Sequence, residues 1–352
     1  MITITDCTLR DGNHAVRHQL SIDQIRQYAE QADAAGIDII EVGHGNGLGG
    51  SSALLGISSV NDQKMLETAR SAIRHGRLGV HFIPGLGKST DLELAIDMGV
   101  DVFRIASHCT EANITAPYIE SVKNQGKTVY GVLMMSHMAE PEVLAEQASL
   151  MASYGADAII LMDSAGYLTP DDVRWRIQAI QQLTDTKLGF HAHNNLGMAV
   201  ANSIAAVEEG AELLDACIKG FGAGAGNTQL ETLIAVLNRL GYRTQCSFEA
   251  AASLARSSEH YLDCLTPHIG AANIASGIHG LFSGFAPHIK RAAEQFKVER
   301  ISTLSTTGST QVSGWTGRHH HRDRGQTLHH QLTPLQEVNR CLLLISRAFA
   351  RP

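Results

Sequence analysis

"TVYGVLMMSHMAEPEVLAEQASLMASYGADAIILMD" (residues 128–163) contains one full unit of the chain's organisation. It opens on an apolar run, turns amphipathic after Glu140-Pro141, stops at Gly155 and closes on a second apolar run. Proline in a first turn and glycine just past a last one are helix start and stop signals. The flanking runs are short and apolar on both faces, as strands of a helix-covered parallel sheet are. The same alternation recurs outward in both directions. Candidate strands are "ITITD" (2–6), "IDIIEV" (37–42), "LGVHFI" (78–83), "DVFRIAS" (101–107), "TVYGVLMMS" (128–136), "DAIILMD" (157–163), "KLGFHAHN" (187–194) and "LLDACIKGFG" (213–222). Another helical stretch, "SIDQIRQYAEQADAAG" (21–36), also ends on glycine. Eight strand–helix units in about 240 residues match a (β/α)8 TIM barrel. The predicted fold class is therefore α/β, an eight-stranded barrel over residues 1–245. An open doubly wound sheet is less well supported, because no G-x-G-x-x-G follows the first strand.

Past residue 245 the alternation ends. Residues 246–300 read as a small helical C-terminal region around glycine-rich "HIGAANIASGIHGLFSGF" (268–285). From about residue 301 the chain turns polar and rich in Ser, Thr and His, with no usable period, so 301–352 is expected to be a poorly ordered tail.

The formal charge of −7 argues against a nucleic-acid or anionic-membrane surface. No apolar run reaches the roughly 20 residues that span a bilayer, and the chain opens on a strand with no signal-peptide pattern. The six cysteines carry no C-x-x-C pair, which suits a reducing cytoplasm.

In such a barrel, reactive groups gather at the C-terminal strand ends. "CTLRDGNHAVRHQ" (7–19) puts Arg10, Asp11 and His14 behind strand 1. Glu41 ends strand 2, ahead of the glycine-rich "GHGNGLGGSS" (43–52), and Asp163 and Ser164 end strand 6. His191 and His193, two apart in strand 7, point to one face. Two imidazoles with a carboxylate across the mouth make a plausible divalent-metal triad with open positions for substrate oxygens. Taken singly, H-x-H could be polar packing, the Arg-Asp turn a salt-bridged strand exit, and the glycine loop a plain connection. His18, His44, His81, His108 and His137 read as structural or solvated. The convergence of independent features on one barrel end favours a site.

These motifs, with "EVGHGNGLGGSS", "VLMMSHM", "HAHNNLGMAVANSIAAVEEGA" and "GFGAGAGNTQLE", resemble the metal-dependent 4-hydroxy-2-oxovalerate aldolases. That family lies in the lyase-and-synthase superfamily of isopropylmalate synthase and HMG-CoA lyase. The resemblance spans residues 1 to about 300. His14, where isopropylmalate synthase-like enzymes carry Gln, and the "GAGAGN" loop favour the aldolases. The resemblance implies cleavage of 4-hydroxy-2-oxovalerate to pyruvate and acetaldehyde, in meta-cleavage catabolism of aromatic compounds. It implies Asp11, His191 and His193 as ligands of Mn²⁺ (Co²⁺ or Mg²⁺ being alternatives), the metal stabilising the pyruvate enolate. Arg10 would add charge on the same oxygen and His14 would take the C4 hydroxyl proton. Arg10, Asp11, Ser164 and His191 would contact the substrate. An acylating acetaldehyde dehydrogenase is the implied channelling partner, met through the 246–300 region.

Two departures stand out. Family members carry a tyrosine in a "Y-S-S-F" segment near the substrate, where this chain has Phe282. The ring is kept and one hydrogen bond, worth about 1 kcal/mol net, is lost. The family also ends in a segment resembling Arg-Arg-Lys-x-Val-Gly-Gly-Gln-Glu-Asp, which codons for "STQVSGWTGRHHHRD" (309–323) can spell when read one nucleotide later. The tail therefore reads as a reading-frame slip, with a divergent tail or a histidine-rich metal tract as the other readings, and His319, His320 and His321 receive no function. Three other readings compete. One is a Claisen-type synthase or lyase acting on an acyl-CoA at the same metal site, and another is a Schiff-base aldolase using Lys219. The third is a catalytically impaired subunit that only binds a partner.

Overall fold

In a computed structural model, residues 1–262, 267–283 and 294 are described. Eight strands alternate with eight helices. They run β1 (Thr3–Asp6), α1 (Ile22–Ala34), β2 (Ile39–Glu41), α2 (Asp62–Ala72), β3 (Arg77–Phe82), α3 (Ser89–Asp97), β4 (Val102–His108) and α4 (Ala116–Asn124). They continue β5 (Thr128–Met134), α5 (Pro141–Ser153), β6 (Ala158–Asp163), α6 (Pro170–Gln181), β7 (Lys187–Ala192), α7 (Ala199–Glu208), β8 (Leu213–Ala216) and α8 (Leu230–Arg239). All pairings are parallel and sequential, and β1 pairs with β8 to close the barrel. The predicted TIM barrel is thus the fold observed. Closure leaves no free sheet edge.

Local chemistry sets the helix limits. The Ser21 and Gln24 side chains cap each other's backbone amides at the start of α1, which buries Ile25, Tyr28, Ala29 and Ala32. Its C-terminal turn ends at Gly36, whose φ of +82° suits glycine. Thr169 with Asp172 caps α6, and Pro170 takes its first position.

Outward-facing strand residues such as Ile4, Ile40, Phe103, Ile105, Ile159 and Phe190 form the main core with the helices. The inward side is divided. Around β4–β6 it holds an apolar plug of Val102, Ala106, Tyr130, Val132, Ala158 and Ile160. Above and beside that plug it holds charge, with Glu41, Arg104, His191 and Asp215 all at most 2% exposed. The lower barrel is therefore a packed core, and the polar side chains face one mouth.

Beyond the barrel, α9 (Phe248–Ser258) packs on α1 and α8. Helix α10 (Ala271–Ile278) leads into Leu281–Ser283, which sits against the mouth. Several strands are shorter than the sequence suggests, and in β7 and β8 the difference moves a candidate site residue. His193 lies just past the end of β7, in an isolated bridge with Asn227. Lys219 lies beyond β8, in a 3-10 turn over Ile218–Gly220 with φ of 53°. The tail expected from residue 301, its frame slip and His319–His321 all lie outside the described residues.

Candidate active site

The turn after β1 is anchored before it presents anything. Asp6 accepts from the Thr8 amide and hydroxyl and from the Tyr28 hydroxyl, while the Ile218 amide donates to Thr8 Oγ1 at 2.8 Å. The amides of Arg10 and Gly12 both donate to the Cys7 carbonyl, and Asn13 Nδ2 donates to Gly43 O at 3.1 Å. The chain then winds into a 3-10 helix over Asp11–His14. This locking aims Arg10 and Asp11 into the barrel, where both are 3% exposed.

Asp11 Oδ2 stands 3.9 Å from His191 Nε2 and 4.0 Å from His193 Nε2. One ligand-capable atom from each of the three lies within 4.8 Å of the others. His191 Nδ1 meets the Asp215 carboxylate at 2.9 Å, so its proton belongs on Nδ1 and its lone pair on Nε2. That Nε2 is buried with no hydrogen-bond partner. An orphaned imidazole nitrogen facing a carboxylate at this range fits a metal site. Burial would raise the Asp11 pKa, but Arg10, His193, His14 and His191 outweigh it and hold the carboxylate well below 3.8. Burial also lowers His193 to about 4, so its ring is neutral and able to ligate. A second ligand-capable group, Cys7, His191 and Asp215, is less suited. Burial, with Glu41 and Asp215, pushes the Cys7 thiol well above 9, and Arg104 already occupies Asp215.

Arg10 donates through Nε to Glu41 at 2.8 Å and through Nη1 to Asp11 at 2.6 Å and to Gly45 O at 3.3 Å. Its Nη2 is buried and lacks a partner, leaving one donor beside the Asp11–His191–His193 group. Glu41 carries charge although wholly buried. Desolvation works against its ionisation, but Arg10, Arg104 and His81 lower its pKa far below 4.5. Arg104 and Asp215 were not singled out in the sequence. Their signal was a charged residue amid apolar ones in "DVFRIAS" and "LLDACIK".

His14 is partly exposed at the mouth and lies edge-on to His18, with ring centres 4.9 Å apart. His18 stacks on His44 at 3.7 Å. Burial lowers the pKa of all three, to about 3 for His18 and about 4 for His44, so the cluster is neutral at pH 7. The Gly45 amide donates to His18 Nδ1 at 3.4 Å, and a Cβ built on Gly45 would lie 2.5 Å from the His14 ring. Gly45→Ala should therefore displace His14. Since about 1 Å of misplacement can cost 10²-fold, we expect kcat to fall at least tenfold with an unchanged circular dichroism spectrum; unaltered kcat would show that His14 need not sit there.

Ser164 is fully buried beside His193, in the register that pairs Asp163 with Ala192. Its Oγ accepts from the Met135 amide at 3.0 Å, and its carbonyl accepts from the Ser283 amide at 3.1 Å. Asn195 Nδ2 donates to Ser283 Oγ at 2.8 Å, so the 281–283 segment is tied over the mouth. Phe282 in that segment packs against the inner apolar plug. Asp163 instead turns away, its carboxylate accepting from the Tyr167 and Leu168 amides. Lys219 is likewise directed elsewhere, with Nζ 2.8 Å from Glu259 Oε1. A Schiff-base route through Lys219 loses its nucleophile, so Lys219→Met should retain pyruvate release. A complete loss, with borohydride trapping in the parent, would restore that route.

Residues 1–257 match the HMGL-like family model and residues 267–314 the DmpG-like communication domain. The chain is 61% identical over 301 residues to a 4-hydroxy-2-oxovalerate aldolase of Burkholderia pseudomallei (strain 668), covering 86% of this chain and 87% of that one. The chain belongs to the 4-hydroxy-2-oxovalerate aldolase family. A member from Spirochaeta aurantia is 52% identical, over 85% of this chain and 88% of its own. The HMG-CoA lyase of Brucella melitensis shares the fold, with a TM-score of 0.63 at 18% identity, over 74% of this chain and 98% of that one. Membership of the aldolase family makes this a lyase with a ligand-capable His/Asp group in its barrel. Among the described residues, no helix is long and apolar enough to cross a membrane.

Proposed function

We propose that the chain cleaves 4-hydroxy-2-oxovalerate to pyruvate and acetaldehyde, with Asp11, His191 and His193 holding one Mn²⁺. The observation that carries the metal assignment is the orphaned Nε2 of His191 turned toward Asp11. Co²⁺ and Mg²⁺ are alternatives for the same mixed nitrogen and oxygen donors. Bound there, the metal supplies Lewis-acid charge for the carboxylate and keto oxygens of the 2-oxo acid.

The chain's own residues do the rest. Arg10 offers its unpartnered Nη2 to the oxygen that gains charge as the C3–C4 bond breaks, an oxyanion-hole role. Neutral His14 takes the C4 hydroxyl proton. The C4 oxygen then becomes the aldehyde carbonyl, the C3–C4 electron pair passes to the pyruvate enolate, and the enolate takes up a proton at C3 to become pyruvate. A base held neutral at pH 7 suits this step. Ser164 and Phe282 border the same mouth and would shape the aldehyde half of the substrate. Phe282→Tyr should change the rate or the stereochemical preference and leave the reaction class alone.

The match of residues 267–314 to a communication domain supports an acylating acetaldehyde dehydrogenase as partner, receiving the aldehyde directly. We place that contact in the region after residue 245.

The test is a choice of substrate. Metal-loaded enzyme should release pyruvate from 4-hydroxy-2-oxovalerate and should not consume acetyl-CoA in the presence of a 2-oxo acid. The opposite result would make the chain a Claisen-type enzyme, and inactivity on both would favour a subunit that only binds a partner.

A further inference from the structure

Arg104, in β4, is fully buried inside the barrel. Its Nη2 donates to Asp215 Oδ2, the same oxygen that meets His191 Nδ1 at 2.9 Å. Its Nη1 lies 3.1 Å from Glu41 Oε1, though not aligned as a hydrogen bond, and 3.3 Å from Cys7 Sγ. Glu41 in turn accepts from Arg10 Nε at 2.8 Å through its other oxygen. One guanidinium therefore meets both carboxylates that hold the reactive groups. On one side Asp215 orients His191, and on the other Glu41 orients Arg10.

We propose that Arg104 is a positioning residue that sets the metal-ligating and oxyanion-binding groups together. This rests on the proposed metal site. Charge supports it. Two guanidiniums, Arg10 and Arg104, face three carboxylates, Asp11, Glu41 and Asp215, leaving one net negative charge where a divalent cation is to bind. Without Arg104 each carboxylate would keep its own partner, Asp215 with His191 and Glu41 with Arg10, but nothing would tie the two carboxylates to each other. A planar, forked cation spans two acceptors, while an ammonium is a single point charge. Lysine at 104 would keep the charge and lose the span.

The experiment is a double-mutant cycle on the full chain, with Mn²⁺ affinity measured by calorimetry and fold by circular dichroism. Asp215→Asn alone should weaken Mn²⁺ about 10- to 100-fold, as loss of an outer partner of a ligating histidine does. Arg104→Lys should weaken it at least tenfold in the parent and far less in the Asp215→Asn background, because the route to His191 is already cut. Arg104→Lys should also weaken binding of oxalate, a planar dianion resembling the enolate, to the metal-loaded protein. That second loss should shrink when Glu41→Gln is already present.

Additive losses in both backgrounds would overturn the proposal while leaving the metal site standing. A parent protein that binds no Mn²⁺ would overturn both. If Arg104→Lys does not fold, the pair Asp215→Asn and Glu41→Gln decides. Coupling of these two substitutions in Mn²⁺ affinity supports the link through Arg104, and strict independence contradicts it.

Discussion

Asp11→Asn and His191→Ala should each abolish pyruvate release while leaving the barrel folded. Each would remove one of the three proposed protein ligands, and with it the several kcal/mol of charge stabilisation that a bound metal would give the transition state. A loss of about 4 kcal/mol is about a thousandfold in rate. The two substitutions differ in their stability cost. Asp11 is ion-paired to Arg10, so Asp11→Asn leaves a buried guanidinium with one fewer partner, although Glu41 still holds it. His191→Ala leaves Asp215 still paired with Arg104. Both proteins should therefore fold, with Asp11→Asn the less stable, since unpairing a buried charge costs about 3–5 kcal/mol when no other partner remains and less when one does. Pyruvate release at parental rate from either variant in metal-free buffer would remove Asp11, His191 and His193 from the chemistry.

His14→Ala should lower the cleavage rate by about 10²- to 10⁴-fold, the span expected for losing a positioned general base. Mn²⁺ affinity should stay unchanged, because His14 offers no atom to the Asp11–His191–His193 group. The pH profile gives a second reading. Burial lowers the pKa of His14 below 6.5, so the base form persists below the pH at which an exposed histidine would be protonated. The acid limb of the parental rate profile should lie below pH 6.5, and activity should fall as the ring takes up its proton there. If metal affinity drops in parallel with rate in His14→Ala, the ring is a ligand and the proton must leave by another group.

Much of this was legible in the sequence because a parallel barrel writes itself as apolar runs at regular intervals. The Arg10-Asp11 turn and the His191/His193 pair were visible for the same reason, since polar groups at the ends of such runs need a purpose. What escaped were residues whose role exists only once the barrel has closed. Arg104 in β4 reads as one charged position in an apolar strand. Closure alone places it against Asp215 from β8 and Glu41 from β2. Asp163 misled in the opposite sense, because a carboxylate at a strand end serves loop amides as readily as a substrate. Lys219 shows the limit of strand length as a guide. Its backbone has already left β8, and its side chain follows the turn toward Glu259. His18 and His44 looked unremarkable in sequence, and the glycines between residues 43 and 50 bring them against His14.

The most direct measurement is pyruvate release from 4-hydroxy-2-oxovalerate by metal-stripped protein as Mn²⁺ is titrated back. Activity should be absent at the start, rise with added Mn²⁺ and saturate at one equivalent per chain. Undiminished activity in the stripped protein, or no pyruvate at saturating Mn²⁺, would contradict the account.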